Sequence, residues 1–216
     1  MYVGRIVCVG LNPEGKLCAA YRVSSRSFPN RRAVPGARHV AIIPKAGYES
    51  DIEKNPYIAY NCVRIVAGDA VAVVTNGSHT EPIAEKIDGG LPVRDALIQG
   101  LHALDYEKDQ YNTPRIAAVA DNRDEPAGWL GVVRDDGLEV RRMPLRPSWC
   151  FFVATYERNV ISLDLTDSLP ATTPEEACDM LLNKGVFASL TNAVTSVAAL
   201  AKEDGGYALA AMDVTE

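Results

Sequence analysis

No stretch of this chain reaches the roughly 18 to 20 uninterrupted apolar residues that a membrane-spanning helix requires, because Arg, Lys, Asp or Glu recur through every candidate segment. A soluble protein with no membrane partner is the expectation. The N-terminus, Met1-Tyr2-Val3-Gly4-Arg5, lacks the basic start, apolar middle and small-residue cleavage site of a signal peptide, so a cytoplasmic location is expected. Positive charge is in short supply: 22 Lys and Arg stand against 28 Asp and Glu, a net charge of -6. That balance argues against nucleic acid as a partner, which needs a basic surface to displace phosphate counterions. A phosphate bound here must meet a local basic pocket. The five cysteines (Cys8, Cys18, Cys62, Cys150, Cys178) are odd in number and scattered through apolar runs. Neither a disulfide framework nor a paired-cysteine metal knuckle can be drawn from them, and buried, reduced thiols are expected. His39 and His102 have no metal-like spacing, so no metal is assigned. The phosphate-loop pattern GxxxxGK[ST] and the dinucleotide pattern GxGxxG are both missing, and no cofactor is expected. There is also no internal repeat, low-complexity tract or long linker, which leaves residues 1–216 as one domain.

What is present is a succession of short apolar runs with turn signals between them. Residues 2–9 and 17–23 read as a hairpin across Asn12-Pro13-Glu14-Gly15. Further strands are expected at 39–43, 57–66 and 70–75, the last two joined through Ala67-Gly68-Asp69. Leu97, Leu101 and Leu104 then recur at helical spacing, and Ile83, Ala84 and Ile87 suggest a shorter helix ending at Gly89-Gly90. Strand patterns return at 115–120, 128–134, 137–142 and 149–156, and these are expected to build a second sheet. Thr173-Pro174-Glu175-Glu176 reads as a capping box with proline at the first helical position and Gly185 as the stop. Leu190, Ala193, Val194, Val197 and Ala201 predict another helix, before a last strand at 207–212. Several strands are apolar on both faces, which suits two packed sheets covered by helices.

Four segments can carry chemistry. The run Arg22 to Arg32 offers four guanidinium groups and the hydroxyls of Ser24, Ser25 and Ser27, the donor types that bind phosphate. It is equally readable as a basic surface loop. Tyr60 and Cys62 share one strand face and Asn61 takes the other. Tyr60 can donate to a developing oxyanion or simply pack in a core. Asn76-Gly77-Ser78-His79-Thr80 links a strand to a helix, so its amides can face an anion, or Ser78 or Thr80 can cap the helix. In Asp105-Tyr106-Glu107-Lys108-Asp109 a carboxylate beside Lys108 can act as a general base if buried, although charged helix ends are usually solvated.

Taken in order, MYVGRI, AYRVSSRSFPNR, NPYIAYNC, NGSHT and DYEKDQYNTPRIAA resemble the archaeal IMP cyclohydrolase family, strongly over residues 1–120 and more weakly beyond. The resemblance implies an α+β fold, a four-layer αββα sandwich like that of the N-terminal-nucleophile hydrolases. Position 2 is Tyr, however, and the nucleophile of that fold's namesakes is missing. It further implies cyclisation and dehydration of 5-formamidoimidazole-4-carboxamide ribonucleotide (FAICAR) to IMP, the last step of de novo purine biosynthesis, with FAICAR and IMP as partners, and makes a homo-oligomer plausible. Carried over by position, Glu107 becomes a general base or proton shuttle, Tyr60 a donor to the formyl oxygen and Arg31 an electrostatic contact. Arg22, Ser24, Ser25 and Arg26 would hold the nucleotide, with Asn61, Ser78, His79 and Lys108 as further pocket residues. Two other readings remain: an amidohydrolase using Cys8 or Cys18 exposed by processing, and a noncatalytic nucleotide-binding protein.

Overall fold

The computed structural model describes residues 1–214. Its opening hairpin pairs β1 (Ile6–Leu11) with β2 (Leu17–Ser24). The turn forms because the buried Asn12 side chain accepts from the amides of Glu14 (3.0 Å) and Lys16 (2.8 Å), a local bond that substitutes for ladder pairing. Every residue of β2 is buried, with alternate residues going to different cores. Leu17, Ala19, Tyr21 and Val23 face a second sheet, while Cys18 and Ala20 face a helix. A strand covered on both faces reads as a continuous apolar run, as this one does.

The first sheet has six antiparallel strands. β10 (Trp149–Ala154) and the short β11 (Thr166–Ser168) extend it beyond β1, and β12 (Ala193–Ala201) and β13 (Tyr207–Asp213) extend it beyond β2. The second has seven, in chain order: β3 (Arg31–Pro35), β4 (His39–Pro44), β5 (Tyr60–Val66), β6 (Val71–Thr75), β7 (Arg115–Asp121), β8 (Ala127–Arg134) and β9 (Gly137–Met143). The expectation that the strands after residue 115 form a sheet of their own is therefore corrected. β7 to β9 continue the sheet begun by β3, and β10 returns to β1, because sheet membership is decided by long-range pairing that no local pattern encodes.

Of the four helices among the described residues, α1 (Asp51–Lys54) is a single turn that the sequence reading passed over. α2 (Thr80–Asp88) and α3 (Val93–Leu104) bury Ile83, Ile87, Leu97 and Leu101 against Val71, Val73, Ala117 and Val119. α4 (Pro174–Asn183) buries Ala177, Cys178 and Leu181 on the opposite outer face, against Cys8, Cys18 and Phe152. With the central core between the sheets, the layers run helix, sheet, sheet, helix. α4 begins as its sequence predicts: Thr173 Oγ1 accepts from the amide of Glu176 at 3.2 Å. The reciprocal bond is displaced by one residue, with Glu176 accepting from the amide of Thr172 at 2.7 Å.

The helix expected at 190–201 is corrected to strand β12. A bulge between Ala193 and Thr195 shifts the alternation by one residue. Val194 and Val197 consequently share a face three positions apart, and Ala201 follows at four. The bulge imitates the period of a helix. Likewise β5 starts at Tyr60 rather than at 57, because the Asn55 side chain accepts from the Tyr57 amide (2.8 Å) and winds Pro56–Ile58 into a 3-10 turn. No helix among the described residues is long and apolar enough to cross a membrane.

Candidate active site

β1, β3, β5 and β7 all start at one end of the sandwich, where β2 and β10 finish, and that end gathers polar side chains from distant parts of the chain. Gly4 (φ 72°) lets the N-terminal segment press against the end of β10; a Cβ there would stand 2.1 Å from Thr155 Oγ1. The Arg5 amide donates to Thr155 Oγ1 (3.1 Å) and the Arg5 carbonyl accepts from the Thr155 amide (3.0 Å). So anchored, Arg5 donates from Nη2 to Glu107 Oε2 at 3.0 Å. Glu107 is only 2% exposed, in the loop between α3 and β7, where its amide donates to the Thr113 carbonyl (2.8 Å). Its other oxygen, Oε1, lies 3.8 Å from Arg115 Nη1 and accepts no hydrogen bond from the protein. Burial pushes the Glu107 carboxyl above its usual range, and the charges of Arg5 and Arg115 partly offset that rise.

Tyr60, the first residue of β5, reaches between the sheets to Tyr21 of β2, with their hydroxyls 2.6 Å apart. Burial raises both phenols, and the nearby Arg31 and Arg5 oppose the rise at Tyr60. Arg31 is itself buried, its Nε donating to the Phe28 carbonyl at 3.0 Å. Above this cluster lies an open cleft of about 380 Å³ with Arg5, Ser25, Arg26, Ser27, Lys54 and Asn55 among its walls. Tyr2 and Tyr156, stacked at 5.9 Å, close one side, and Arg26 lies 4.2 Å over the Tyr2 ring. A cleft of this size fits a small molecule, and its cationic walls favour an anionic one.

The structure brings together Tyr60, Glu107 and Arg31, with Ser25 and Arg26 on the cleft wall and His79 beside Arg115. It does not bring in the others. Arg22 sits on the α4 face of β2, fully buried, donating to Ser24 Oγ and to the carbonyls of Leu181, Phe187 and Leu190. Ser24 is occupied by that contact. Asn61 turns to the α2 side and donates to Glu81 Oε1 at 2.6 Å. Ser78 is exposed and takes no part in the cluster. Lys108 points to solvent, paired with Asp105 at 2.5 Å. Neither Ser78 nor Thr80 caps α2, whose N-cap is His79 with no side-chain cap bond; the Thr80 hydroxyl lies 2.6 Å from the Asn61 carbonyl and 2.9 Å from that of Gly77, and its proton ties the loop to β5. Cys8 and Cys18 lie in the core under α4, away from the cleft. The Cys8 thiol is pushed up by its hydrogen bond with Cys150 and by burial, and that of Cys18 by burial, the opposite of an activated nucleophile.

Sequence reasoning passed over Arg5, Tyr21, Tyr57, Arg115 and Tyr156. Arg115 lies 5.6 Å over the Tyr57 ring and is 4% exposed. Arg5 and Arg115 had a usable signal: each is a lone arginine at the mouth of an apolar strand, where a buried charge is to be expected only with a partner.

His79 is fully buried, with Nε2 at 3.0 Å from the Ile116 carbonyl. Burial and the neighbouring Arg115 push its pKa down to about 3. The unfolded chain therefore takes up a proton near pH 6.5 that the folded chain refuses until about 3, and stability is lost as pH falls between them. Glu107, with its pKa raised, acts in the opposite sense, so the histidine shows as a steeper loss of stability in wild type than in a His79 variant as pH falls. Urea unfolding from pH 7 to 5 should show the wild type losing up to about 1.4 kcal/mol per pH unit more than His79→Gln below pH 6.5.

A buried carboxylate between two arginines, next to a tyrosine pair and under a cationic cleft, is an arrangement that can move protons on a small anionic molecule. A family model described as IMP cyclohydrolase-like protein matches residues 2–205. The IMP cyclohydrolase of Methanosphaera stadtmanae is 47% identical over 205 residues, 94% of this chain and 96% of its own. That of Methanocella arvoryzae is 52% identical over 172 residues, 79% of this chain and 82% of its own. That of Methanocaldococcus jannaschii is 41% identical over 206 residues, 95% and 96% of the two chains. The chain belongs to the IMP cyclohydrolase family.

Proposed function

We propose that this chain closes the purine ring of IMP from FAICAR, its whole length acting as one catalytic domain in a variant of the N-terminal-nucleophile hydrolase fold. The single observation that carries the chemistry is Glu107: buried, oriented through one oxygen by Arg5, with its second oxygen accepting from no protein donor. In the reaction the carboxamide nitrogen of the substrate attacks the formyl carbon, the nitrogen loses a proton, and the formyl oxygen leaves as water. No protein nucleophile is required. The enzyme must hold the two arms together, accept the proton and neutralise the oxygen as it becomes negative.

Ser25, Arg26, Ser27 and Lys54 on the cleft wall suit the phosphate and ribose, as side-chain donors and cations. Arg5 at the base of the cleft then directs the two reacting arms towards Glu107 and Tyr60. With Tyr21 donating to the Tyr60 oxygen, the Tyr60 proton is free for the formyl oxygen, and Arg31 stabilises the charge that passes through it. Glu107 takes the carboxamide proton and returns it to the departing hydroxyl, while the formamide N–H, as it becomes the ring C=N, gives its proton back to Tyr60, so that one water leaves and both side chains are regenerated.

The test is to mix purified protein with FAICAR and follow IMP by absorbance and chromatography. Formation of IMP well above the uncatalysed rate is expected; none from folded protein would overturn the reading. Tyr60→Phe should lower kcat by about 100-fold with a smaller effect on KM, since it removes one oxyanion donor and retains the ring. Steady-state kinetics on the variant check this.

A further inference from the structure

We propose that His79 is a positioning residue: its neutral imidazole fixes Arg115 beside Glu107 and so sets the pH at which that carboxylate takes up its proton. The inference rests on the reading of Glu107 as the proton acceptor, and goes beyond it by assigning what tunes that group. Three observations converge on it. The Ile116 carbonyl can only accept, so His79 Nε2, 3.0 Å away, carries the proton and Nδ1 is left as a bare acceptor. Nδ1 faces Arg115 Nη1 at 3.5 Å, a contact that attracts only while the imidazole is neutral. Gly77 stands beside this contact, where a Cβ would lie 2.6 Å from Arg115 Nη1, 3.3 Å from His79 Nδ1 and 3.6 Å from Glu107 Oε1. Arg115 Nη1 thus has an imidazole acceptor at 3.5 Å and Glu107 Oε1 at 3.8 Å, and the bare backbone of Gly77 leaves the space it occupies between them.

The charged groups around His79 and Glu107 are Arg115 at the start of β7, Arg5 in the N-terminal segment and Asp109, two residues beyond Glu107 in the loop, whose charge raises the Glu107 carboxyl. Arg115 lowers the proton affinity of Glu107. Loosening Arg115 must therefore raise it, and a carboxylate that holds its proton to higher pH is a poorer base near neutrality.

Glutamine in place of His79 can still donate to the Ile116 carbonyl but loses the rigid acceptor facing Arg115. The Glu107 carboxyl signal, assigned in ¹³C spectra by its loss in Glu107→Gln, reports the carboxylate directly. In His79→Gln its titration should move to higher pH by about one unit, and the acid limb of kcat should move with it while KM changes less. Gly77→Ala, whose Cβ presses hardest on the guanidinium at 2.6 Å and leaves the imidazole itself in place, should move both in the same direction, and it decides the matter if His79→Gln fails to fold. Imidazole ¹⁵N spectra should show one of the three histidines, the buried His79, held neutral with its proton on Nε2 well below pH 6.5. Folded variants in which the Glu107 titration stays at its wild-type position would overturn the proposal, leaving His79 as a packing residue. If the Glu107 titration moves but no form of the protein makes IMP, the positioning role stands and the cyclohydrolase reading fails.

Discussion

Glu107→Gln is expected to lower kcat by about 1000-fold, in the middle of the range for loss of a positioned general base, with KM altered far less. The amide fills the same volume, and its oxygen can still accept from Arg5 Nη2, which approaches Oε2 at 3.0 Å in the native site. What disappears is the basic lone pair on Oε1, the oxygen that no protein donor satisfies. The pH profile supplies a second check. Because burial raises the Glu107 carboxyl, the wild-type rate should begin to fall, as pH decreases, above the range of an ordinary carboxylate. The sign follows from the role: the base works only when deprotonated, so activity is lost as pH drops through the raised value. The residual rate of Glu107→Gln should be flat across that interval. A glutamine variant with wild-type kcat would remove Glu107 from the chemistry and leave Tyr60 and Arg31 as the groups to explain turnover.

Much of the fold was legible because its signals are local. The Asn12 turn, the Gly89-Gly90 stop and the Thr173-Pro174 start each depend on backbone chemistry within a few residues, and each stands where the pattern puts it. The misreadings came where periodicity meets tertiary structure. At Val194 and Val197 a bulge gave a strand the spacing of a helix, and the partition of strands between the two sheets followed from pairings across more than a hundred residues. The site divides the same way. The Arg22 to Arg32 run is dense in cation, but its members go to different places: Arg22 under α4, Arg26 to the cleft wall and Arg31 to the Tyr60 end of the core. Glu107 was singled out by resemblance, since composition alone favoured a solvated helix end. Arg5 and Arg115 escaped because the carboxylate they share is 102 residues from one and joined to the other only by the loop that β7 closes.

Arg22 separates density of charge from function, and a paired experiment should show it. Arg22→Met is expected to destabilise the protein by about 3 to 5 kcal/mol, because the guanidinium serves buried carbonyls that a thioether cannot. Arg22 Nη1 donates to Leu181 (2.8 Å) and Phe187 (2.9 Å), Nη2 to Leu190 (2.7 Å), and Nε to Ser24 Oγ (3.0 Å). These bonds tie the end of β2 to the end of α4 and to the turn that follows it, adding a polar link to the apolar packing of the helix on the first sheet. Burial pulls the Arg22 guanidinium down to about 10, so it remains charged at neutral pH and its hydrogen bonds remain charge-assisted. For a chain of this size the loss corresponds to a fall in Tm of about 10 °C, measurable by calorimetry. Arg26→Ala, on the exposed cleft wall, should change stability by no more than about 0.5 kcal/mol while raising KM for the nucleotide. If instead Arg22→Met kept its stability and lost affinity, the arginine run would be one phosphate pocket after all, and the burial of Arg22 under α4 could not be its working arrangement.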